Sequence, residues 1–201
     1  MIVVLSLVNF IENRTDASLG RFVLLMLIAM LVCFIADLLM AGVFYITPVS
    51  LINGVIFFTL GHVFYLLALR NRSSLLLRSN VPKLITRNLA IWFVTVLLVF
   101  FLFFLTLFDP TDMVISIGLL GYGVILTSSL VFSLTKWFDD FPKTFTLCLV
   151  MGFIFFFISD YILGYRILNG ISLFPGIEAV GITYLLGQML IHLSPMFANE
   201  S

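Results

Sequence analysis

A few ionisable side chains lie inside long apolar stretches of this 201-residue chain. Asp37 and His62 are each embedded among aliphatic and aromatic residues, and Glu178 comes early in the last apolar stretch. Asp160 lies in residues 153–164, which read Phe-Ile-Phe-Phe-Phe-Ile-Ser-Asp-Tyr-Ile-Leu-Gly. An aspartate at the centre of a bilayer costs about 2.5–3.5 kcal/mol even on the lenient insertion scales. Such a residue is therefore a candidate for function, and it needs partners.

Two carboxylates in a site of low dielectric can perform acid and base chemistry. Burial and mutual repulsion keep one acid protonated near neutral pH, while the other stays ionised and polarises a water molecule. This is the arrangement that cleaves a C–O bond through an oxocarbenium-like state. Asp37 and Asp160 are the candidate pair. Their separation along the sequence permits the two carboxylates to be adjacent without requiring it.

Helical spacing adds polar side chains to these candidates. His62 and Tyr65 are three residues apart, and Tyr184 and Gln188 are four apart, so each pair shares one helix face. A polar stripe that faces the interior of a bundle could surround a water-filled or head-group-sized cavity. The simpler interpretation is interhelical hydrogen bonding, which is typically worth under about 1 kcal/mol per pair. The neutral side chains available as further partners are Asn53, Tyr122 and Ser159.

The composition identifies the elements that must position these groups. The chain is 62% hydrophobic and 10% charged, with a mean hydropathy of +1.24, which is typical of a polytopic membrane protein. Its formal net charge of zero offers no basic surface for nucleic acid. Apolar stretches of spanning length run over residues 20–44, 49–69, 88–108, 113–135, 144–165 and 174–194.

These stretches predict an all-α fold. Backbone groups in hydrocarbon must satisfy their own hydrogen bonds, and stretches of this length do so as helices. We therefore predict a single transmembrane domain over residues 1–201, a polytopic helix bundle with six full crossings. Residues 1–11 are apolar but too short to cross, so they predict a partial or interfacial N-terminal helix.

The basic residues predict the orientation of the bundle. Nine of the ten Lys and Arg fall in alternate gaps, and only Arg166 lies on the other side. The nine are Arg14, Arg21, Arg70, Arg72, Arg78, Lys83, Arg87, Lys136 and Lys143. By the positive-inside rule these gaps face the cytoplasm of an integral membrane protein, in the plasma (inner) membrane if the source is bacterial. Asp37, Asp160 and Glu178 then lie within about two helical turns of the non-cytoplasmic surface, where they could meet.

The sequence contains few residues that could serve as thiol nucleophiles or as metal ligands. Cys33 and Cys148 lie in apolar stretches, where cysteine behaves as a small hydrophobic side chain. A metal-dependent lipid hydrolase usually needs three protein ligands to zinc besides water. Only His62 is centrally placed, since His192 lies near the cytoplasmic end of its helix. We expect neither a metal nor another cofactor.

The order of the polar residues resembles that of the YhhN family of integral membrane proteins, which includes lysoplasmalogenases. The order and the separations of the matching segments are similar to the family's over roughly residues 20–194. The segments are residues 36–39 (Ala-Asp-Leu-Leu), 61–69 (Gly-His-Val-Phe-Tyr-Leu-Leu-Ala-Leu), 121–123 (Gly-Tyr-Gly), Gly152 with Ser159-Asp160, and 184–191 (Tyr-Leu-Leu-Gly-Gln-Met-Leu-Ile).

The resemblance implies a hydrolase that cleaves the vinyl ether bond of lysoplasmalogens to a fatty aldehyde and a glycerophospho-alcohol. Its partners would be a lysophospholipid or ether-lipid substrate and the membrane lipids. Asp37 and Asp160 would be the catalytic pair, and Glu178, which matches no family motif, an accessory acid or a head-group contact. The other expected substrate-binding residues are His62, Tyr65, Tyr122, Ser159, Tyr184 and Gln188.

Two alternatives stay open at this point. The same intramembrane aspartates could serve a non-catalytic lipid-binding protein or a proton-coupled transporter, and release of aldehyde by the purified protein discriminates between these functions. We assign Asp160 as the acid and Asp37 as the base, and the sequence equally permits the reverse.

Members of the family usually have eight crossings, so six crossings and a short apolar helix imply that a first hairpin is absent or that the chain starts late.

Overall fold

The fold is built from α-helices. The structure, a computed structural model, describes residues 1–16, 19–71, 81–138, 141–171, 173–174 and 178–198. Over these residues it contains seven α-helices, two short 3₁₀ turns and no strand, which confirms the predicted all-α class. The helices are α1 (Ile2–Asn13), α2 (Leu19–Met40), α3 (Ser50–Asn71), α4 (Val81–Thr106), α5 (Met113–Thr135), α6 (Lys143–Asn169) and α7 (Ala179–Leu193).

Six stretches within the described residues are long and apolar enough to cross a membrane, as predicted. They are Leu19–Met40, Ser50–Arg70, Thr86–Thr106, Met113–Thr135, Lys143–Asn169 and Ala179–Phe197. The N-terminal helix, Ile2–Asn13, is apolar and shorter than a crossing. The protein is therefore embedded in a membrane through six apolar helices, with one short apolar helix at its N-terminus.

Several helix ends differ from the predicted ends. Helix α4 begins at Val81 instead of residue 88 and α6 ends at Asn169 instead of residue 165, whereas two other ends fall short because apolar residues continue past the helix. The first crossing was expected to reach residue 44, but α2 ends at Met40. Gly42 then adopts a left-handed φ of 72°, which glycine reaches at little cost and which leads the chain away from the helix axis. The last crossing was expected from residue 174, but α7 begins at Ala179. The predicted basic positions Arg72 and Arg78 lie outside the described residues.

The chain divides into two compact units, residues 1–73 and 74–201. In the first unit α1 packs on α2, and α2 packs on α3. A methyl group at Gly61 would lie 2.6 Å from Sγ of Cys33, so α2 and α3 approach closely there. Gly54 meets Met40 in the same way. Each helix advances seven residues, about two turns, between the two contacts, so α2 and α3 run antiparallel along one seam.

In the second unit α4 packs on α5, α5 on α6, and α6 on α7. The indole Nε1 of Trp92 in α4 donates to Oγ of Ser128 in α5 at 2.9 Å. Helices α6 and α7 approach closely at Gly152 and Gly187. A methyl group at Gly187 would lie 2.8 Å from the backbone N of Phe156 and 2.9 Å from the carbonyl oxygen of Gly152. Small residues allow this close crossing, since helix association in lipid depends on packing.

The acidic turn between α4 and α5 has a structural role. Oδ1 of Asp109 accepts from the Thr111 hydroxyl at 2.6 Å and from the Thr111 backbone N at 2.8 Å. The Thr111 hydroxyl in particular holds the pKa of Asp109 below its usual value. Asp112 accepts from the backbone N of Ile115 at 3.0 Å and so caps the start of α5.

Asn53, one of the candidate neutral partners, holds the loop before α3. Its Oδ1 accepts from the backbone N of Thr47 at 2.9 Å and from the Thr47 hydroxyl at 2.8 Å, and its Nδ2 donates to the Thr47 carbonyl at 2.9 Å. Asn53 is buried. The side chain thus satisfies both backbone groups of Thr47, so its role is structural, although its bonds go to a loop and not to another helix.

We expect Asn53→Ala to lower the free energy of unfolding by about 1–2 kcal/mol, because it leaves part-buried backbone groups without these bonds. Thermal unfolding in detergent measures the effect. Thr47→Ser is the matched control, since it keeps the hydroxyl and the backbone groups that Asn53 binds. Equal stability of Asn53→Ala and Thr47→Ser would show that the loop does not depend on the side chain of Asn53.

Candidate active site

Asp160 lies in the C-terminal half of α6 and is bonded to α5. The hydroxyl of Tyr122 in α5 donates to Oδ2 of Asp160. Tyr122 is 8% exposed, whereas Asp160 is half-buried. Two polar residues that are 38 positions apart in sequence therefore meet inside membrane-spanning helices.

The residues on both sides of Asp160 bind two other helices. Oγ of Ser159 donates to the carbonyl of Val180 in α7 at 3.1 Å. The hydroxyl of Tyr161 donates to Oγ1 of Thr106, the last residue of α4, at 3.1 Å. Consecutive residues of an α-helix are about 100° apart around its axis. These three adjacent side chains therefore connect α6 to α7, α5 and α4 at one level of the helix.

A cluster of aromatic and amide side chains lies between α6 and α7. The rings of Phe156 and Tyr184 pack edge to face, with 5.4 Å between their centroids. Nε2 of Gln188, a buried side chain, donates to the Tyr184 hydroxyl at 3.4 Å. Phe156 precedes Asp160 by four residues, so the two share a face of α6. Tyr184 thus packs on α6 about one turn before Asp160, and Gln188 lies beside the Gly152–Gly187 crossing, about two turns before it.

Asp37 lies on the seam between α2 and α3 in the first unit. It follows Cys33 by four residues and precedes Met40 by three, and both of these contact glycines of α3. Asp37 therefore shares their face of α2 and is half-buried. On α3, His62 and Tyr65 are fully buried, and their rings pack edge to face with 5.6 Å between centroids.

The predicted site residues fall into both units. Asp37, His62 and Tyr65 belong to the first unit. The second unit holds Tyr122, Ser159, Asp160, Glu178, Tyr184 and Gln188. Within the second unit, hydrogen bonds join Asp160 to Tyr122 and Gln188 to Tyr184. The pairing of Asp37 with Asp160 stays a prediction.

Glu178 lies at the boundary of its helix. It immediately precedes α7, makes no side-chain capping bond there, and is exposed. Val180, the acceptor of the Ser159 bond, is two residues further on. Glu178 therefore lies near the level of Ser159 and Asp160, at the start of α7. This position suits contact with a polar head group better than a role in a buried pair.

Sequence reasoning missed Tyr161 and Thr106. A tyrosine in an aromatic stretch and a threonine at a helix end are common, and neither marks a site. The adjacency of Tyr161 to Asp160 is the only signal that could have drawn attention to it. As for metal chemistry, no group of three or more His, Cys, Asp and Glu side chains among the described residues is arranged to hold an ion.

Comparison with known proteins gives one positive result. The model of the YhhN family matches residues 1–195, and so includes α1 as well as the six long helices. A search of curated proteins found no match, and a search of solved structures found none either.

Proposed function

The chain belongs to the YhhN family, and from this membership we propose that it is a membrane hydrolase that cleaves the vinyl ether bond of lysoplasmalogens. The observation that carries the proposal is Asp160, a half-buried carboxylate in a membrane-spanning helix that a buried tyrosine holds by a hydrogen bond. An acid is costly in this environment, so its presence there favours a role in chemistry. The products would be a fatty aldehyde and a glycerophospho-alcohol.

The substrate would enter from the bilayer. A lysoplasmalogen has one hydrocarbon chain, so its tail could lie among the apolar helices while its head group stays at the membrane surface. Glu178 is exposed at the start of α7, where a carboxylate would attract the ammonium group of a choline or ethanolamine head. The vinyl ether is separated from this ammonium by the phosphate and the glycerol, and we propose that it lies against Asp160.

The chemistry divides between two aspartates. The protonated carboxyl of one donates its proton to the vinyl carbon that does not carry oxygen, and the adjacent carbon becomes an oxocarbenium ion. The ionised carboxylate of the other stabilises this cation and takes a proton from the water that adds to it. The second aspartate, now protonated, gives its proton to the glycerol oxygen as the hemiacetal C–O bond breaks, and the first takes the proton of the hemiacetal hydroxyl. The products are aldehyde and alcohol, and both carboxyl groups return to their starting states. We propose Asp37 and Asp160 for these roles.

The test is release of aldehyde by the purified protein from a lysoplasmalogen in detergent or in vesicles. The matched control is the lysolipid with a saturated alkyl ether, because it lacks the double bond that accepts the proton. We expect aldehyde from the vinyl ether only. A well-folded preparation that releases none, with detergent and added metal ions varied, would overturn the proposal and favour the lipid-binding or proton-transport function.

A further inference from the structure

The bond between Tyr122 and Asp160 restricts the orientation of the carboxyl group. An aspartate side chain rotates about two bonds, and a group that transfers protons or stabilises charge acts best when it is held in one orientation. The Tyr122 hydroxyl engages Oδ2 of Asp160, so rotation of the carboxyl would break that bond. Fixing Oδ2 also fixes the direction of Oδ1. The orientation is therefore set before any substrate binds.

The two partners differ in their exposure. Asp160 is half-buried, which leaves part of it open to a ligand, while Tyr122 is 8% exposed. The phenol therefore supports the carboxyl from within the protein. The bond of Ser159 to the Val180 carbonyl holds α6 against α7 at the same level.

We infer that Tyr122 is a positioning residue that acts through Asp160, and not one of the residues that bind substrate. This inference rests on the proposed hydrolase function, since it assigns a role within that reaction. It differs from the expectation from the sequence, which grouped Tyr122 with the substrate-binding side chains.

Tyr161 offers a matched control. Like Tyr122, it uses its hydroxyl to join two helices, and it is adjacent to Asp160 in sequence, but its hydroxyl binds Thr106. Tyr122→Phe and Tyr161→Phe each remove one interhelical hydroxyl and keep the ring. If both hydroxyls served only to hold helices together, the two variants would have the same properties.

We expect Tyr122→Phe to lower kcat for aldehyde release by about 30- to 100-fold, with KM within about twofold of wild type. The pH–rate profile of this variant should also shift, because the hydroxyl that it lacks binds a group that takes part in proton transfer. Tyr161→Phe should keep kcat within about threefold and leave the profile unchanged. Equal losses in both variants would overturn the inference, and so would a loss confined to KM, which would make Tyr122 a substrate contact.

A second measurement does not depend on turnover. Dicyclohexylcarbodiimide is an apolar reagent for carboxyl groups within membranes, and mass spectrometry gives its rate of reaction at Asp160. We expect Tyr122→Phe to change this rate by about threefold or more, and Tyr161→Phe to leave it as in wild type. An equal rate in all three proteins would overturn the inference.

If Tyr122→Phe does not fold, 3-fluorotyrosine at position 122 keeps the ring, makes the hydroxyl more acidic and should shift the pH–rate profile.

The two hypotheses fail in different ways. If wild type releases no aldehyde but the labelling rate of Asp160 depends on Tyr122, the hydrolase proposal is wrong and the positioning role stands. If wild type releases aldehyde and the two phenylalanine variants match in kcat and labelling, the hydrolase stands and the positioning role is wrong.

Discussion

Asp37→Asn and Asp160→Asn should each lower kcat/KM for aldehyde release by about 10²- to 10⁴-fold, the range that general acid or base catalysis contributes. Asparagine has nearly the shape of aspartate and keeps one carbonyl oxygen, which in position 160 can still accept the Tyr122 hydroxyl bond. What each variant loses is the exchange of a proton and the negative charge. Aldehyde measured over time, with thermal unfolding of each variant in parallel, gives the result.

The double variant tests whether the two aspartates serve one reaction. Residues that act as a unit give losses that do not add, so Asp37→Asn with Asp160→Asn should be no worse than the more severe single variant. Additive losses would indicate two independent roles. If both single variants stay folded and fully active, the two-carboxylate mechanism is wrong.

Asp112→Asn is the matched control for these substitutions. Asp112 caps α5 through the backbone N of Ile115, outside the membrane-spanning helices. Asparagine caps a helix about as well as aspartate does. We therefore expect activity within about twofold of wild type and a free energy of unfolding within about a few tenths of a kcal/mol of wild type. The control shows whether loss of an acidic charge as such affects activity.

Hydropathy predicted the helices well and their ends less well. Crossing length is set by the bilayer, so long apolar stretches were sufficient to find the six spans. The end of α2 was missed because residues 41–44 read Ala-Gly-Val-Phe, which is as apolar as the helix itself. Only the left-handed Gly42 distinguishes these residues, and hydropathy does not register it. Helix ends near a membrane surface are decided by backbone geometry as much as by composition.

The candidate site could be found from the sequence only in part. Asp160 stands out because an acid is rare and costly in hydrocarbon. Its bond to Tyr122 could not be singled out, because lipid-facing and core-facing positions are both apolar and helical periodicity carries little information. Asn53 was named beside Tyr122 and Ser159 as an available neutral partner, yet its hydrogen bonds go to Thr47 in a loop. Only its adjacency to Asp160 marks Tyr161 in the sequence, and its bond to Thr106 joins α6 to α4.

The close crossing of α6 and α7 leads to the second large effect. Gly187→Leu should lower the free energy of unfolding by more than about 3 kcal/mol, because a side chain there cannot fit without separating the helices. A methyl group already lies 2.8 Å from a backbone atom of Phe156, which cannot rotate away as a side chain could. Gly181→Leu is the matched control on the same helix, since nothing lies within 4 Å of its methyl position. Thermal unfolding in detergent measures both, and similar midpoints would contradict the close crossing.

Substitution of Gly187 also tests whether the packing of α6 on α7 affects the candidate active site. Gly187 lies in the segment Tyr-Leu-Leu-Gly-Gln-Met-Leu-Ile that resembles the family, and Gly152 in another. Their role is the helix crossing, and this crossing sets the Ser159 bond to Val180 and the packing of Phe156 on Tyr184. The milder Gly187→Ala should therefore reduce aldehyde release at temperatures where it remains folded, whereas Gly181→Ala should not. Full activity of folded Gly187→Ala would show that the site tolerates movement between α6 and α7.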